Sequence, residues 1–487
     1  MKRQNSSFAF HELKQEAFAF EKEKNYDAAL ECHFACLNIA LKAHSEVHPE
    51  IIECYENIGT VFHYQNMFPE ALNNLQNSLR MKLELYPESH PSVLASMKNL
   101  GILYKTEKRY EEALEKFYRY LSLTLERLDD GDNEVLEVFE GIAAIHEKLN
   151  CNSQALEWYS KALKVRLKKG SPQQTRTLFF RCGAILCKQA KYELALKYLQ
   201  KSLNLALKDL ESNHPKVGKI YNQIGGAYQG LKMYDKALQF QFKFLDCIMF
   251  NRAENKELLG TCYTTLGTLY KQKQQFSLAM EYFEKALGTM NEQDGKGNLS
   301  IASCYNEIAC IFFQQANYEE AIEWHRKTLT IKKKHCQDNQ LSLAKTYNNL
   351  GMAYQKNGNF DEALINLSKS LNMKLKYEPE NYLSILTSHK NIASTYESVS
   401  KFSEAIDHYN KAMSLGSHFN DEVFPDLYSS IGGVFLKLGR KDEAFELYKK
   451  GYSIQQRRLG DDHFMTKQTK NILRQNFQQE MTNFDNE

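Results

Sequence analysis

The sequence predicts an all-α fold: a superhelical α-α solenoid of about eleven tandem helix hairpins, plus a C-terminal capping helix. The first observation behind this is a hydrophobic pattern of period 3.6 that pairs two amphipathic segments in each repeat. The second is a recurring alanine, at Ala29, Ala71, Ala113, Ala155, Ala195, Ala237, Ala279, Ala321, Ala363, Ala405 and Ala444. Eight of its ten intervals are 42 residues long, with one of 40 and one of 39. The third is a small residue twelve places earlier: Ala17, Gly59, Gly101, Ala143, Gly183, Gly225, Gly267, Ala309, Gly351, Ala393 and Gly432. A register held over this length marks a repeat array in which each member touches only its neighbours.

The clearest copy spans residues 90–125. Its first helix is expected over about Ser92 to Lys105, burying Val93, Met97, Leu100, Gly101 and Tyr104. After a short polar turn, a second helix from about Tyr110 buries Ala113, Leu114, Phe117, Leu121 and Leu125. Glycine inside a helix costs about 1 kcal/mol relative to alanine, so Gly101 implies a packing reason. Close approach of the two antiparallel helices supplies one, at the short end of the roughly 8–10 Å axial range. Rings form two columns, one three residues after the small residue (Phe62, Tyr104, Tyr228, Tyr270, Tyr354, Tyr396) and one three before the alanine (Tyr26, Phe68, Tyr110, Tyr192). Their helical register assigns both to the core. Pro49, Pro91 and Pro215 fall ten residues before the small residue, in the first helical turn where a missing N–H is harmless.

In chain order, residues 10–43 make a weaker first repeat, expected to cap the array, and residues 49–128 make the two most regular ones. Repeat four replaces its two rings with His146 and Asn152, and its preceding loop, 129–133, offers helix N-caps. Repeat five is two residues short, carries Leu186 in the ring column and follows a cationic loop, 168–172. Repeat eleven has Lys441 in place of the second ring. Residues 459–463 resemble the inter-repeat loops, and 467–478 read as an unpaired closing helix before a frayed acidic tail, 480–487. The expected organisation is therefore a solenoid over 8–457 and a capping helix with tail over 458–487, with no low-complexity linker.

No apolar run approaches the roughly 18 residues of a membrane span, and the first twenty residues lack a signal-peptide core. Eleven scattered cysteines without a C-x-x-C pair read as reduced thiols of a cytoplasmic protein. A net charge of +2 gives no basic footprint for nucleic acid.

The small residue, the ring three places on, the alanine twelve places on and the aromatic second helix resemble tetratricopeptide repeats. The usual repeat of that family is about 34 residues, so the extra length implies about two more helical turns per repeat. The long repeat, the pairs His48-Pro49, His90-Pro91 and His214-Pro215, and the asparagines Asn57, Asn99, Asn349 and Asn391 are similar to the kinesin light chain and nephrocystin-like branch. The resemblance implies that the first helices line a concave groove that holds extended or helical peptides. Carried onto this sequence, the groove positions are Asn57, Lys98, Asn99, Lys105, Arg181, Lys188, Lys219, Asn222, Lys271, Lys345, Asn348, Asn349, Lys356, Lys390 and Asn391. Repeat four contributes Glu137, Glu140 and Glu147 instead. Asparagine both donates and accepts hydrogen bonds and so suits a peptide backbone, while lysine attracts carboxylates in a salt-screened way. Lys345, Asn348 and Asn349 share a helix face, Lys390 and Asn391 stand at matching places one repeat on, and no acid at those positions offsets them.

Catalytic and cofactor readings fail on spacing. His146-Glu147 would open a zinc-protease motif, but its fifth place is Asn150; the 129–133 loop has Glu134 where a calcium loop needs glycine. Gly295-Lys296-Gly297 lacks the rest of a phosphate loop, and His335-Cys336 has no second ligand pair nearby. No enzyme, cofactor or metal is expected. The expected function is a protein-interaction adaptor that binds acidic linear peptides of partner proteins. The alternative is a structural component of a transport or ciliary assembly, held by its outer surface and ends. The tail residues Met481 and Phe484 with the acids Glu480, Asp485 and Glu487 resemble such a peptide, which raises the idea of a self-docking tail.

Overall fold

The computed structural model describes residues 2–44, 47–125, 133–169, 172–250, 256–290, 298–335, 340–416 and 424–478, which hold 23 α-helices and no strand. Two compact units divide the chain, Met1–Asn251 and Arg252–Glu487. The first contains six hairpins: α1 (Lys2–Lys22) with α2 (Tyr26–Ala43), α3 (Pro49–Tyr64) with α4 (Phe68–Leu85), and α5 (Pro91–Thr106) with α6 (Tyr110–Thr124). It continues with α7 (Asn133–Lys148) and α8 (Asn152–Lys169), α9 (Pro172–Lys188) and α10 (Tyr192–Asp209), and α11 (Pro215–Gly230) and α12 (Tyr234–Phe250). The second contains α13 (Lys256–Gln272) with α14 (Phe276–Thr289), α15 (Asn298–Gln314) with α16 (Tyr318–His335), and α17 (Gln340–Lys356) with α18 (Phe360–Tyr377). Then come α19 (Tyr382–Ser398) with α20 (Phe402–Gly416), α21 (Phe424–Lys437) with α22 (Lys441–Leu459), and the closing helix α23 (Phe464–Asn476). Within each unit a first helix packs on its own second helix, and that second helix on the next first helix.

The small-residue column is where the two helices of a hairpin meet. A Cβ added at Gly101 would stand 2.6 Å from Phe117 Cε1; at Gly59 it would lie 2.8 Å from Leu75 Cγ, and at Gly351 2.7 Å from Leu367 Cγ. The close-packing expectation holds, with the side chain sixteen residues on as the contact. Each three-residue turn has its middle residue in the left-handed region, among them Lys24, Asn66, Lys108, Ala316 and Ser400. Only Gly358 and Gly439 meet that demand with glycine. The Arg109 N–H donates to the Tyr104 carbonyl at 2.9 Å across one such turn, which satisfies an end of the first helix.

The His-Pro pairs have a local cause. Nδ1 of His48, His90 and His214 accepts the N–H two residues on, capping α3, α5 and α11 with proline in their first turns. His463 caps α23 in the same way, so the closing helix starts at Phe464 rather than Lys467. Ring columns pack as expected, and Tyr104 and Tyr354 also accept hydrogen bonds from Gln76 and Arg326 on the preceding second helices. His146 keeps that link, 3.1 Å from Tyr118 OH. Leu125 is a correction: it stands past the last turn of α6 and is exposed, as Leu41, Leu83 and Leu167 are at the same register of their own second helices. Ten free thiols occur among the described residues, and burial pushes Cys54, Cys182 and Cys262 up to about 12, so these are inert packing groups. The calcium-like loop before Asn133, Gly295–Gly297, Cys336 and the 480–487 tail lie outside the described residues.

Candidate functional site

First helices of neighbouring hairpins approach one another directly, α5 with α7, α9 with α11, α13 with α15 and α17 with α19. Their shared side is the candidate groove. In the first unit it opens a cavity of about 390 Å³ whose lining includes Lys98, Lys105, Glu137, Glu140, Gly141, Tyr159 and Arg181. Gly141 stands where Asn57 and Asn99 stand in earlier repeats, and the missing side chain helps leave this space. Burial pushes the Lys105 ammonium below its ordinary value and the Glu140 carboxyl above its own, Arg166 opposing the latter shift.

Charges along this face are largely answered by the next repeat. Lys14 meets Glu53 at 2.6 Å, Lys98 meets Glu137 at 3.3 Å and Lys390 meets Asp426 at 3.7 Å, three pairs in one register. Glu147 takes both Arg181 at 3.5 Å and Lys188 at 3.4 Å, while Lys271 pairs with Glu307. Lys390 thus meets a counter-charge from outside the positions compared, Asp426 on the following first helix. Lys219, Lys345 and Lys356 are exposed and in no ion pair among the described residues. Asn222 Oδ1 accepts from Gln241 Nε2 at 3.0 Å, so its role is partly internal. Asn57 is half-buried and Asn99 exposed, neither in a side-chain hydrogen bond among the described residues.

The second unit brings the remaining amides together. Asn349 Nδ2 donates to Asn306 Oδ1 at 3.3 Å, and Asn391 Nδ2 donates to Asn348 Oδ1 at 3.1 Å. These links join α15 to α17 and α17 to α19, all four amides half-buried. Each bond uses one N–H and one lone pair of a group that has two of each. The Oδ1 atoms of Asn349 and Asn391 take no hydrogen bond among the described residues.

Sequence reasoning missed two polar features. Lys82, Lys332 and Lys374 sit at one register on second helices and donate to a carbonyl and a hydroxyl of the next first helix, as Lys374 does to Ser384 O at 3.2 Å and Ser388 Oγ at 2.7 Å. Burial and then Lys345 push the Lys374 ammonium below its ordinary value. Their regular spacing was the available signal. The other is His325, buried in α16 beside a smaller cavity. A third group, His44, His48 and Glu50, brings three metal-capable side chains within 4.8 Å. Its rings are stacked 3.5 Å apart and nearly parallel, so their nitrogens cannot converge on one ion, and His48 Nδ1 already caps α3. Tyr86 stacks on His90 at the matching place one repeat later, which marks the pair as loop packing.

Helix hairpins in tandem, closed by a capped terminal helix, define a repeat-built scaffold. The tetratricopeptide repeat profile matches residues 13–84, 174–241, 260–334 and 342–416, and a second tetratricopeptide repeat profile matches 426–464. The chain belongs to the tetratricopeptide repeat family. No curated protein matches it in sequence. Among solved structures it is similar to the apo form of the quorum sensor NprR from B. thuringiensis, 16% identical over 74% of this chain and 98% of that one, with a TM-score of 0.52. It is also similar to nearly identical TPR-like repeats assigned to a kinesin light chain of Podosopora anserina, 15% identical over 50% and 96%, TM-score 0.27. Human IFIT1, solved as a dimer with m7Gppp-AAAA, is 14% identical over 85% and 87%, TM-score 0.46. At these identities the likeness is one of fold. No helix among the described residues is long and apolar enough to cross a membrane.

Proposed function

We propose that this chain is a non-catalytic adaptor that binds short acidic segments of partner proteins along the face made by its first helices. The observation that supports it is the amide set of α15, α17 and α19, whose half-buried side chains keep hydrogen-bonding capacity open beside the unpaired ammonium of Lys345. Core packing has no use for such a set, and an extended peptide presents the matching N–H, C=O and carboxylate groups. Peptide-display selection against the whole chain tests this, followed by affinity measurements on the selected ligand. Asn349→Ala with Asn391→Ala should weaken binding at any salt, by about 1 kcal/mol per net hydrogen bond lost. Lys345→Ala should weaken it mainly at low ionic strength, and Lys390→Ala less so, since Asp426 already holds that charge. Ligands without an excess of Asp and Glu, or equal binding to the quadruple variant, refute the reading.

A second reading, a structural component held by its outer surface, is favoured by one column of side chains. Leu41, Leu83, Leu125, Leu167, Leu207 and Met249 fall at one register at the ends of six successive second helices, and all are 43–58% exposed. Single exposed leucines are ordinary, but a column repeated through one compact unit is a surface. Leu83→Glu with Leu167→Glu should release partners that the groove variant retains; partners kept by both variants would sink this second reading.

A further inference from the structure

The side chain sixteen places after the small residue is buried in every repeat. It is polar-tipped behind two of the glycines, as Gln241 and Tyr448, and behind all four alanines of that column: His33, Tyr159, His325 and Tyr409. Three of these four reach a carboxylate on their own first helix. His33 Nε2 lies 2.7 Å from Glu21 Oε1, and the hydroxyls of Tyr159 and Tyr409 donate to Glu147 and Glu397, each at 3.3 Å. All three glutamates stand four residues after the small residue, one turn along the first helix. In repeat eight that place is Phe313. His325 is 1% exposed and its Nδ1 has no hydrogen-bond partner among the described residues. Beside it is a cavity of about 150 Å³ lined by Cys310, Phe313, Gln314, His325, Asn349 and Met352. The fold keeps the imidazole here, loses its carboxylate and leaves a space that opens toward the amide set.

We propose that a carboxylate of the bound ligand supplies the missing partner, so that this cavity takes one Asp or Glu side chain of the peptide and His325 anchors it. The inference rests on the groove reading above and names its specificity position. The volume corresponds to roughly five waters at about 30 Å³ each, enough for a carboxymethyl group. Gln314 and Asn349 carry amide donors at its lining. The titratable groups facing His325 are Cys310 from α15, a thiol that burial holds protonated, and Lys332 from its own helix; α17 contributes Asn349 and Met352, which do not titrate here. Glu307, also near Cys310, is already paired with Lys271. Burial and then Lys332 hold the free imidazole neutral, near 4. An arriving carboxylate stays ionised and favours the imidazolium, so the imidazole takes one proton from solvent and none leaves the peptide. Affinity then rises as pH falls from 8 to 6.

The probe is the tightest acidic peptide returned by selection against the whole chain, with each Asp or Glu in turn changed to Asn or Gln. Calorimetry in phosphate and in Tris should show uptake approaching one proton per peptide as pH is lowered toward 6, and one carboxylate position should account for it. His325→Leu, which copies Leu75, Leu199 and Leu367 at the same register, should abolish the uptake and weaken binding about tenfold. Phe313→Glu rebuilds the internal carboxylate of repeats one, four and ten, and should weaken binding to a similar degree while leaving the helix content unchanged. If both variants bind like the parent, or the uptake persists in His325→Leu, the anchor is overturned while the groove reading stands on its asparagine variants. Failure to select any acidic ligand overturns both.

Discussion

Gly101 and Gly226 should respond to the same substitution with opposite signs. A methyl at Gly101 would sit 2.6 Å from Phe117 Cε1 and 2.8 Å from Cδ1, about 1 Å inside ordinary contact. The ring is 2% exposed, and its far edge borders the space beside Gly141 on α7, so it can give way only in that direction. Overpacking of this kind costs about 1–3 kcal/mol, against a gain of about 1 kcal/mol when alanine replaces glycine in a helix. Gly101→Ala should therefore destabilise by up to about 2 kcal/mol, and Gly101→Leu by more. Gly226, on the open side of α11, has nothing within 4 Å of its would-be Cβ. Gly226→Ala should stabilise by about 1 kcal/mol. Urea unfolding gives the sign, and native-state hydrogen exchange locates the loss, which nearest-neighbour coupling should spread from repeat three into repeats two and four. Equal gains at both positions, or exchange in those repeats left unchanged by Gly101→Leu, would refute the account of the small-residue column.

The left-handed turn at Gly358, with φ of +83°, makes Gly358→Ala costly. It should lose more than about 1 kcal/mol despite the open space around the residue, and an unchanged urea midpoint would show that the turn relaxes. His325 makes stability depend on acid. Its folded value near 4 lies below the ordinary 6.5, so the unfolded chain takes up a proton first. Its contribution is complete above about pH 6.5 and is lost as pH falls toward 4, by about 3 kcal/mol at the limit. Denaturation midpoints from pH 8 to 4 should fall less steeply in His325→Leu, and parallel curves would contradict the buried, neutral imidazole.

Much of the fold was legible because close packing restricts residue type. Only a small side chain fits opposite Phe117 or Leu75, so the column at Gly101 and Gly59 survives as a visible period. Second helices begin at the ring column, as α6 does at Tyr110, for the same reason. The turns were not legible. Lys108, Gln274 and Ala316 are ordinary residues that the antiparallel geometry forces into the left-handed region, so no glycine signal marks them. Leu125 misled because the apolar period runs on to a register that faces outward, as Leu83 and Leu167 do in their own repeats. The counter-charges of the groove were not legible for a related reason. Lys390 is neutralised by a residue 36 positions away that occupies a different register, and comparing like position with like does not reveal that pairing.

Repetition also makes departures measurable within a single chain. Glu21, Glu147 and Glu397 show how the buried polar tip is answered in three of the four alanine repeats, and Phe313 stands at that place in the fourth. An unpaired buried nitrogen costs about 1–3 kcal/mol, a loss that a phenylalanine or leucine at position 325 would remove, as Phe117 and Leu367 do in their own repeats. The surface lysines carry no comparable information, because a solvated ammonium is content without a partner and an exposed pair contributes little. On the proposed groove reading, ligands are told apart where the scaffold leaves buried or half-buried polar groups unanswered, among them His325 in α16 and the amides of Asn349 and Asn391. All three lie within the second compact unit, and Asn349 and His325 line the same cavity. On that reading, a ligand that satisfies one is positioned to satisfy the other, which would tie the recognition of a peptide backbone to the recognition of one acidic side chain.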